Sequence, residues 1–219
     1  MTDSRSETDS SSKPGDDVGT VAGVLLAAGT SSRFGAANKL LAELDGTPIV
    51  VHAVETLLES RLEPVVVVIG HEAGRLEAAL EGYPVECVRN PAYAAGQSTS
   101  VTAGVAALEG QDVDAAVFAL GDMPFVEATS VEVLISTWRD GNRETTDGDR
   151  DPTTAVVAAY EGVRGNPVLF DSGAFERLKT LAGDRGGRRL LRDGDGVVLV
   201  ETGDPGVRRD VDTPRDLTG

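Results

Sequence analysis

The chain has 219 residues and a mass of 22.8 kDa, a size typical of one domain. It carries 36 acidic against 20 basic side chains, a formal charge of −16, so most of its surface repels nucleic acids and anionic lipids. A single cysteine, Cys87, excludes an intrachain disulfide, and no apolar run reaches the roughly 18 residues of a transmembrane helix. We therefore expect a cytoplasmic protein that binds neither nucleic acid nor membrane.

The charged residues are strongly biased in type. The chain has three lysines against seventeen arginines, and twenty of its 36 acidic residues are aspartates. At 1 M salt the Debye length is only about 3 Å, which removes most of the self-repulsion of such an acidic surface. This composition indicates a halophilic protein, adapted to high salt, with an ordinary acidic cytosolic protein as the alternative.

Two polar segments set the domain organisation. Residues 1–19 contain almost no apolar side chains, so burial cannot offset the entropy of ordering them. We expect a disordered acidic tail there and a single domain over 20–219. Within that domain, residues 139–152 are rich in Asp, Gly and Thr, which predicts an exposed acidic excursion between a helix and a strand.

From residue 20 onward, short apolar runs alternate with amphipathic helical patterns. The predicted strands are 21–26, 65–69, 85–88, 115–120, 154–159 and 197–200. Helical spacing of apolar residues is found over 50–58, 76–80, 101–108 and 131–138. This alternation predicts an α/β fold, a mostly parallel Rossmann-like sheet in three α/β/α layers. Ligands of such sheets bind at the carboxyl ends of the strands.

The loop after the first predicted strand combines small residues with two basic ones. Residues 26–35 read L-A-A-G-T-S-S-R-F-G, and Lys39 follows shortly after. Small residues let backbone amides approach an anion, and Arg33 and Lys39 add positive charge, which together suit a polyphosphate. A tight strand-to-helix connection is the alternative. Neither G-x-x-x-x-G-K-[ST] nor G-x-G-x-x-G occurs, which argues against a P-loop ATPase and a simple dinucleotide dehydrogenase.

Two acidic segments are candidates for metal binding. Asp122 follows the strand 115–120, where a carboxylate faces the ligand crevice. Asp210 and Asp212 alternate along a short extended piece, so their side chains point the same way. Mg²⁺ on a triphosphate needs only one or two protein carboxylates. A helix cap for Asp122 and a surface turn for the other pair are the alternatives.

Two further segments carry groups that suit a substrate. Residues 90–100 follow another strand and open a helix; their amides and hydroxyls suit a base edge or a ribose, and the helix N-terminus favours phosphate. Capping of that helix by Ser98 is the alternative. Residues 183–188 form a predicted helix end, turn and new helix, with arginines that meet either a phosphate or solvent.

The histidines and the cysteine give no sign of catalysis. His52 and His71 have no triad partner at a recognisable motif, and Cys87 lies within a predicted strand. We expect structural roles for all three. These absences would not prevent transfer of a group to a phosphate monoester. Its oxygen is already ionised near pH 7, since its second pKa is about 6, and no side chain has to act as a general base.

Residues 26–39 resemble the L-A-[AG]-G-x-S-x-R-x-G-x(2,3)-K signature of the MobA-like nucleotidyltransferases. With Ala27 and Ala28 at its A-[AG] positions, the segment is most similar to the molybdenum cofactor cytidylyltransferase branch of that family. Residues 121–124 (G-D-M-P) and 210–217 (D-V-D-T-P-R-D-L) resemble the family's two metal-binding segments. Residues 90–100 are similar to a segment that lines its nucleotide pocket. The resemblance covers 21–217, apart from most of the excursion.

The acceptor side resembles the family less closely. Residues 164–170 resemble its R-G-H-P-V-L-F segment, with Asn166 in place of the usual histidine. Residues 183–188 resemble its G-D-x-G-A-R segment, with Gly187 in place of alanine. These departures bear on the identity of the acceptor rather than on the chemistry.

The resemblance implies a nucleotidyltransferase domain of the nucleotide-diphospho-sugar transferase type over 20–219, with Mg²⁺ as cofactor. It assigns catalysis to Arg33, Lys39 and Asp122, and the metal to Asp122 and Asp212, with Asp210 as an additional candidate. The residues that it assigns to the nucleotide are Leu26, Ala27, Ala28, Gly29, Ser31, Arg33, Lys39, Asn90, Gly96, Ser98, Ser100 and Asp122. Those that it assigns to the acceptor are Gly165, Asn166, Pro167 and Arg188.

The reaction that the resemblance implies is transfer of CMP from CTP to a molybdopterin-type molybdenum cofactor, with release of pyrophosphate. Ala28, where the guanylyl branch usually has glycine, favours CTP. Transfer to a sugar phosphate, use of GTP, and a non-catalytic nucleotide-binding protein stay open as alternatives. A molybdoenzyme that receives the product is the expected protein partner.

The halophilic hypothesis predicts that the protein loses compactness at low salt. Dialysis from 1 M salt lengthens the Debye length from about 3 Å to about 30 Å at 0.01 M, so the acidic side chains repel one another. The radius of gyration and the urea midpoint should be measured before and after dialysis. If both stay unchanged, the adaptation to salt is disproved.

Overall fold

The computed structural model describes residues 19–31, 34, 38–142, 152–180, 191 and 195–217. Apart from Gly19, the predicted tail lies outside these residues, as do residues 143–151 of the predicted excursion. The carbonyl of Gly19 accepts a hydrogen bond from Arg139 Nη2 at 3.3 Å, and the amide of Thr20 donates to Asp114 Oδ2 at 2.8 Å. Gly19 therefore belongs to the fold rather than to the tail.

All six predicted strands are present, each within one residue of its predicted bounds. The strands of the described residues are β1 (Val21–Ala27), β2 (Glu43–Leu44), β3 (Thr47–Pro48), β4 (Val65–Ile69), β5 (Glu86–Arg89), β6 (Ala115–Leu120), β7 (Ala155–Tyr160), β8 (Val163–Asp171) and β9 (Val197–Glu201). The α-helices there are α1 (Ile49–Glu59), α2 (Ala73–Ala79), α3 (Gln97–Ala107), α4 (Ala128–Asn142) and α5 (Phe175–Lys179). Within the described ranges, no helix combines the length and the apolar character needed to cross a membrane.

The main sheet reverses its strand order at β1. Its order is β5-β4-β1-β6-β8-β7-β9, and only β8 runs antiparallel to its neighbours among the described strands of this sheet. From β1 the chain moves outward to β4 and β5, then returns to β6 on the other side of β1. Adjacent crossovers therefore diverge between β1 and β6, and a crevice opens beyond the carboxyl ends of these two strands.

Both faces of the sheet are covered by helices. All five residues of β4 are buried, which explains why it is a continuous apolar run. Leu25 of β1 packs in one apolar cluster with α1 and α4, whereas its neighbour Val24 packs in a second cluster with α3 and α5. Side-chain alternation along the strand thus builds the three α/β/α layers, and the predicted fold class is confirmed.

The strand β8 is an element that sequence analysis did not predict. Gly165, Asn166 and Pro167 interrupt its apolar pattern, so a strand is not evident from the sequence. The positive φ angles of Glu161 and Gly162, 52° and 73°, form the tight turn that joins it to β7. The segment that resembles an acceptor site is therefore part of the sheet, next to β6.

Helix α4 extends four residues into the predicted excursion. At its last residue, Asn142 Nδ2 donates to the carbonyl oxygens of Trp138 and Thr153, both at 3.0 Å. The amide of Thr153 donates in return to Asn142 Oδ1 at 3.1 Å. These bonds join the end of α4 to the segment that enters β7, so the chain on either side of residues 143–151 is held together.

Close packing of α3 on β1 predicts that Gly104 tolerates no larger residue. A Cβ at Gly104 would lie 2.5 Å from Val24 Cγ1. Gly104→Ala should lower the free energy of unfolding by about 1–3 kcal/mol, because the methyl group overfills a packed interface. Gly74→Ala in α2 is the matched control: no atom lies within 4 Å of its Cβ position, so stability should be unchanged or slightly higher. Urea unfolding measures both, and equal stability of Gly104→Ala would contradict the packing argument.

Candidate active site

Hydrogen bonds around Ser31 and Asn38 fix the loop after β1. Ser31 Oγ accepts the amide of Lys39 and donates to Asn38 Oδ1, both at 3.1 Å. The buried Asn38 also accepts the amide of Leu40 at 3.1 Å, which caps the short 3-10 helix of residues 39–41. Lys39 therefore leaves a rigid turn, and its side chain extends to the carboxyl end of β6.

A cleft of about 210 Å³ lies at the carboxyl ends of β1 and β6. Its lining residues are Leu26, Ala28, Gly29, Ser31, Lys39, Leu40, Tyr93, Gln97, Ser100, Leu120 and Asp122. No protein atom lies within 4 Å of the position that a Cβ on Gly29 would take, so a ligand can approach this backbone closely. Seven of the twelve residues predicted to bind nucleotide are among the lining residues.

Asn90 holds other loop residues rather than lining the cleft. Its Nδ2 donates to Thr99 Oγ1 at 2.9 Å and to Ser100 Oγ at 3.0 Å, and its Oδ1 accepts the amide of Ala92 at 2.9 Å. The side chain is almost fully buried. Its hydrogen bonds therefore set the position of Ser100, which does line the cleft.

The other predicted nucleotide residues are placed as follows. Ala27 packs in the cluster with α1 and α4, on the other face of β1 from Ala28. Gly96 precedes the first residue of α3, and Ser98 is buried within its first turn. The helix has no side-chain cap, so the capping role considered for Ser98 is wrong. Arg33 lies outside the described residues.

The terminal aspartates are brought to Asp122 by a backbone hydrogen bond. The amide of Val211 donates to the carbonyl of Asp122 at 2.8 Å, and the side chain of Val211 is fully buried. Asp210, which is exposed, and Asp212, which is partly exposed, flank it. One carboxylate oxygen of each of these two residues and of Asp122 lies within 4.8 Å of the others.

Lys39 supplies the positive charge at this cluster. Its Nζ lies 2.6 Å from Asp122 Oδ2 and 3.0 Å from Asp212 Oδ1. Burial alone would lower the pKa of Lys39, but the hydrogen bonds and negative charges of Asp122 and Asp212 outweigh it, so the pKa lies above its usual 10.5. Lys39 is therefore a cation at any physiological pH.

The aspartate cluster fits a divalent metal ion. Carboxylate oxygens are the ligands that Mg²⁺ and Mn²⁺ prefer, and two or three suffice when substrate phosphates complete the coordination. The cluster is partly exposed and borders the cleft through Asp122. Asp122, Asp210 and Asp212 could thus hold an ion at the place where a bound phosphate would reach it.

Asp216 organises the segment that carries Asp212. Its Oδ2 accepts the amides of Asp212 and Thr213, at 3.1 and 2.7 Å, and Thr213 Oγ1 at 2.9 Å. These bonds, first that of the Thr213 amide, lower the pKa of Asp216 below its usual 3.8. Arg209, which precedes the aspartate pair in the sequence, lies 3.7 Å above the ring of Phe125, and its Nη2 donates to the carbonyl of Asp216 at 3.3 Å. Both contacts hold the segment in place.

Two of the four predicted acceptor residues, Asn166 and Pro167, lie beside the end of β6. Asn166 and Pro167 line a small gap together with Leu120 and Met123, next to the end of the strand that leads to Asp122. Gly165 packs against the backbone of Val207, where a side chain would collide. Arg188 lies outside the described residues.

Sequence analysis missed several residues of this site. Tyr93 and Gln97 line the cleft; both belong to the predicted substrate segment 90–100, but neither was named as a binding residue. Their place between a strand end and the first turn of α3 was the available signal. Asn38 and Asp216 act through hydrogen bonds to other loop residues, a role that the sequence alone does not show.

Both histidines and the cysteine lie off the cleft lining. His52 Nε2 lies 3.0 Å from the carbonyl of Leu44, and the backbone carbonyl of His71 accepts Asn38 Nδ2 at 3.4 Å. Cys87 is on the edge strand β5, where burial, and then the charge of Glu77, raise its thiol pKa.

Removing the Asp216 carboxylate should weaken metal binding with little loss of stability. Asp216→Ala leaves the amides of Asp212 and Thr213 without their acceptor, and we expect Mn²⁺ affinity to fall about 10–100-fold, as for residues that support metal ligands. Asp216→Asn retains one oxygen acceptor, so its Mn²⁺ affinity should lie between those of the wild type and Asp216→Ala. Electron paramagnetic resonance of free Mn²⁺ measures the affinities, and wild-type affinity in Asp216→Ala would refute this role.

A family model described as the MobA-like NTP transferase domain matches residues 23–197. The chain is 34% identical over 204 residues to the purine catabolism protein PucB of Bacillus subtilis, covering 89% of this chain and 92% of PucB. It is 32% identical over 199 residues to nicotine blue oxidoreductase of Paenarthrobacter nicotinovorans, covering 90% of this chain and 94% of that protein.

Solved structures show the same architecture. Rv0371c from Mycobacterium tuberculosis H37Rv matches with a TM-score of 0.76 at 25% identity, over 92% of this chain and 97% of that chain. A second structure of that protein, in complex with manganese, matches with a TM-score of 0.71 at 25% identity, over 91% and 96%. The fold is that of the nucleotide-diphospho-sugar transferase type. The chain belongs to the MobA-like NTP transferase family and is a nucleotidyltransferase.

Proposed function

We propose that this nucleotidyltransferase moves CMP from CTP to the phosphate of a molybdopterin-type molybdenum cofactor, with Mg²⁺ as its metal ion. The observation that carries the proposal is the meeting of Lys39 with Asp122, Asp210 and Asp212 beside the Gly29 loop. The resemblance of the loop to the cytidylyltransferase branch supports CTP and this acceptor. The manganese complex of Rv0371c supports a divalent ion.

The reaction is a displacement at phosphorus. An oxygen of the acceptor phosphate attacks the α-phosphorus of CTP, the bond to the α,β-bridging oxygen breaks, and pyrophosphate leaves with the electron pair. Mg²⁺ held by Asp122 and Asp212, with Asp210 nearby, would neutralise phosphate charge and align the triphosphate. Lys39 neutralises charge on the leaving pyrophosphate, while the amides next to Gly29 orient it.

No side chain needs to act as a general base in this scheme. A phosphate monoester is ionised near pH 7, since its second pKa is about 6. In the described part of the chain, no histidine lines the cleft, which agrees with an acceptor of this type. Arg33 is proposed to bind the phosphates with Lys39, and Arg188 the acceptor, together with Gly165, Asn166 and Pro167.

The choice of donor and acceptor is supported by fewer contacts than the assignment of the metal and phosphate sites. Ala28 lines the cleft, and the resemblance to the family, whose guanylyl branch usually has glycine at this position, favours CTP. GTP as donor and a sugar phosphate as acceptor are the alternatives within the same chemistry. A non-catalytic nucleotide-binding protein has less need of three clustered carboxylates and a lysine.

The name of one relative raises a different reaction. Nicotine blue oxidoreductase is similar to this chain over 90% of this chain's length, so an oxidation–reduction reaction is a second candidate. Against a dinucleotide-dependent reaction of this kind, the chain lacks the G-x-G-x-x-G turn. Oxidation of NADPH with a quinone-type dye as acceptor tests this candidate directly.

The most informative assay follows pyrophosphate release in high salt. CTP and GTP are each supplied with and without molybdopterin cofactor, with Mg²⁺ present, and a panel of sugar 1-phosphates replaces the cofactor in parallel. Release only with CTP and the cofactor supports the proposal. Release with a sugar phosphate instead, or CTP binding without any release, would replace it with the corresponding alternative.

The proposal predicts that Asp122→Ala abolishes transfer and leaves the fold intact. Loss of a metal ligand should lower kcat/KM by at least about 100-fold, more than the loss of a residue that only supports a ligand. Asp112→Ala is the matched control, since this exposed aspartate precedes the opposite end of β6. Circular dichroism and urea unfolding check the fold. Wild-type turnover in Asp122→Ala would falsify the assigned active site.

A further inference from the structure

The ammonium group of Lys39 already binds the carboxylates to which a metal ion is assigned. Its Nζ donates to Asp122 Oδ2 and Asp212 Oδ1, at 2.6 and 3.0 Å, and its side chain is only 15% exposed. One carboxylate oxygen each of Asp122, Asp210 and Asp212 lies within 4.8 Å of the other two. An ion that binds these aspartates must therefore come within a few ångströms of Lys39.

A divalent ion and this ammonium compete for the same oxygens. Mg²⁺ needs carboxylate oxygens at about 2.0–2.1 Å in a strict octahedral arrangement, which the two short hydrogen bonds of Lys39 obstruct. Two positive groups so close together also repel strongly, because a half-buried site contains little water to screen them. Metal binding thus requires Lys39 to leave at least one of its two partners.

An anion in the cleft offers Lys39 another partner. Gly29, Ser31 and Lys39 line the same cleft, and the backbone of Lys39 is fixed there by Ser31 Oγ. Four single bonds of the side chain let Nζ turn from the aspartates toward a phosphate without moving the loop. A bound polyphosphate therefore frees the carboxylates, and a bound metal ion frees Lys39.

We propose that Lys39 is an internal competitor of the metal ion, so that divalent-cation binding and polyphosphate binding depend on each other. When either ligand binds alone, it must break the contacts of Lys39 with Asp122 and Asp212. When both bind, the metal ion takes the place of Lys39 at the aspartates, and the polyphosphate takes the place of the aspartates at Lys39. By thermodynamic linkage the coupling is reciprocal. The inference rests on the proposed metal and phosphate sites, but it does not depend on CTP or on the acceptor.

The test is equilibrium dialysis of the full-length protein with Mn²⁺, with or without inorganic pyrophosphate in both chambers. Small Mn²⁺–pyrophosphate complexes distribute equally across the membrane, so the excess Mn²⁺ on the protein side is bound to protein. In the wild type, pyrophosphate should tighten the apparent Mn²⁺ Kd by about 5- to 150-fold, the usual range for coupled sites. Without pyrophosphate, Lys39→Met should bind Mn²⁺ at least about 5-fold more tightly than the wild type, and pyrophosphate should tighten its binding much less.

Two further variants separate competition from a general effect of lost charge. Lys39→Arg keeps the positive charge and should retain weak Mn²⁺ binding. Lys179→Met removes another lysine with two carboxylate partners, Glu109 and Glu176 at 2.6 and 2.5 Å, and should leave Mn²⁺ binding unchanged. Urea unfolding checks that each variant is folded.

Equal or weaker Mn²⁺ binding by folded Lys39→Met would overturn the inference, as would equal tightening in Lys179→Met. The outcome is independent of the proposed reaction because no nucleotide turns over in the experiment. If pyrophosphate release from CTP fails while Lys39→Met binds Mn²⁺ more tightly, the proposed reaction falls and the competition stands.

Discussion

Three carboxylate groups can share a small volume only when positive charge lies among them. Oxygens of Asp122, Asp210 and Asp212 lie within 4.8 Å of one another, and Lys39 donates to two of these side chains. At this spacing like charges repel strongly, since a half-buried site is poorly screened by water. The fold must therefore bring a cation wherever it brings these aspartates together. Lys39, on a turn fixed by Asn38, meets that need.

This balance of charge joins segments that are far apart in the sequence. Lys39 is separated from Asp122 by 83 residues and from Asp212 by 173. The reversal of strand order places the ends of β1 and β6 side by side, which brings the first pair together. The third segment reaches the same point because the amide of Val211 binds the carbonyl of Asp122. One loop thus presents a carboxylate and anchors the two others.

Local sequence predicts much of this arrangement, but not how its polar groups pair. Continuous apolar runs identify the buried parallel strands, and the end of one of them identifies Asp122 as a crevice residue. The strand β8 is not predicted from the sequence because residues 165–167 interrupt its apolar pattern. Its extended conformation is decided by pairing with β6 and β7. Asn90 has the chemistry of a ligand-binding amide, yet its hydrogen bonds go to other loop residues. Which partner a polar side chain takes depends on the tertiary structure, as Asp216 also shows.

The pairing of Asn142 with Thr153 bears on how this scaffold evolves. The two residues are joined just before the amino-terminal end of β7. This is the opposite end of the sheet from the cleft, which lies at the carboxyl ends of the strands. The entropy of closing a loop rises by only about 0.6 kcal/mol for each doubling of its length. We therefore expect evolution to tolerate insertions and deletions between these two residues without a change in the shape of the cleft. For the same reason, a fluorescent reporter domain could be inserted there.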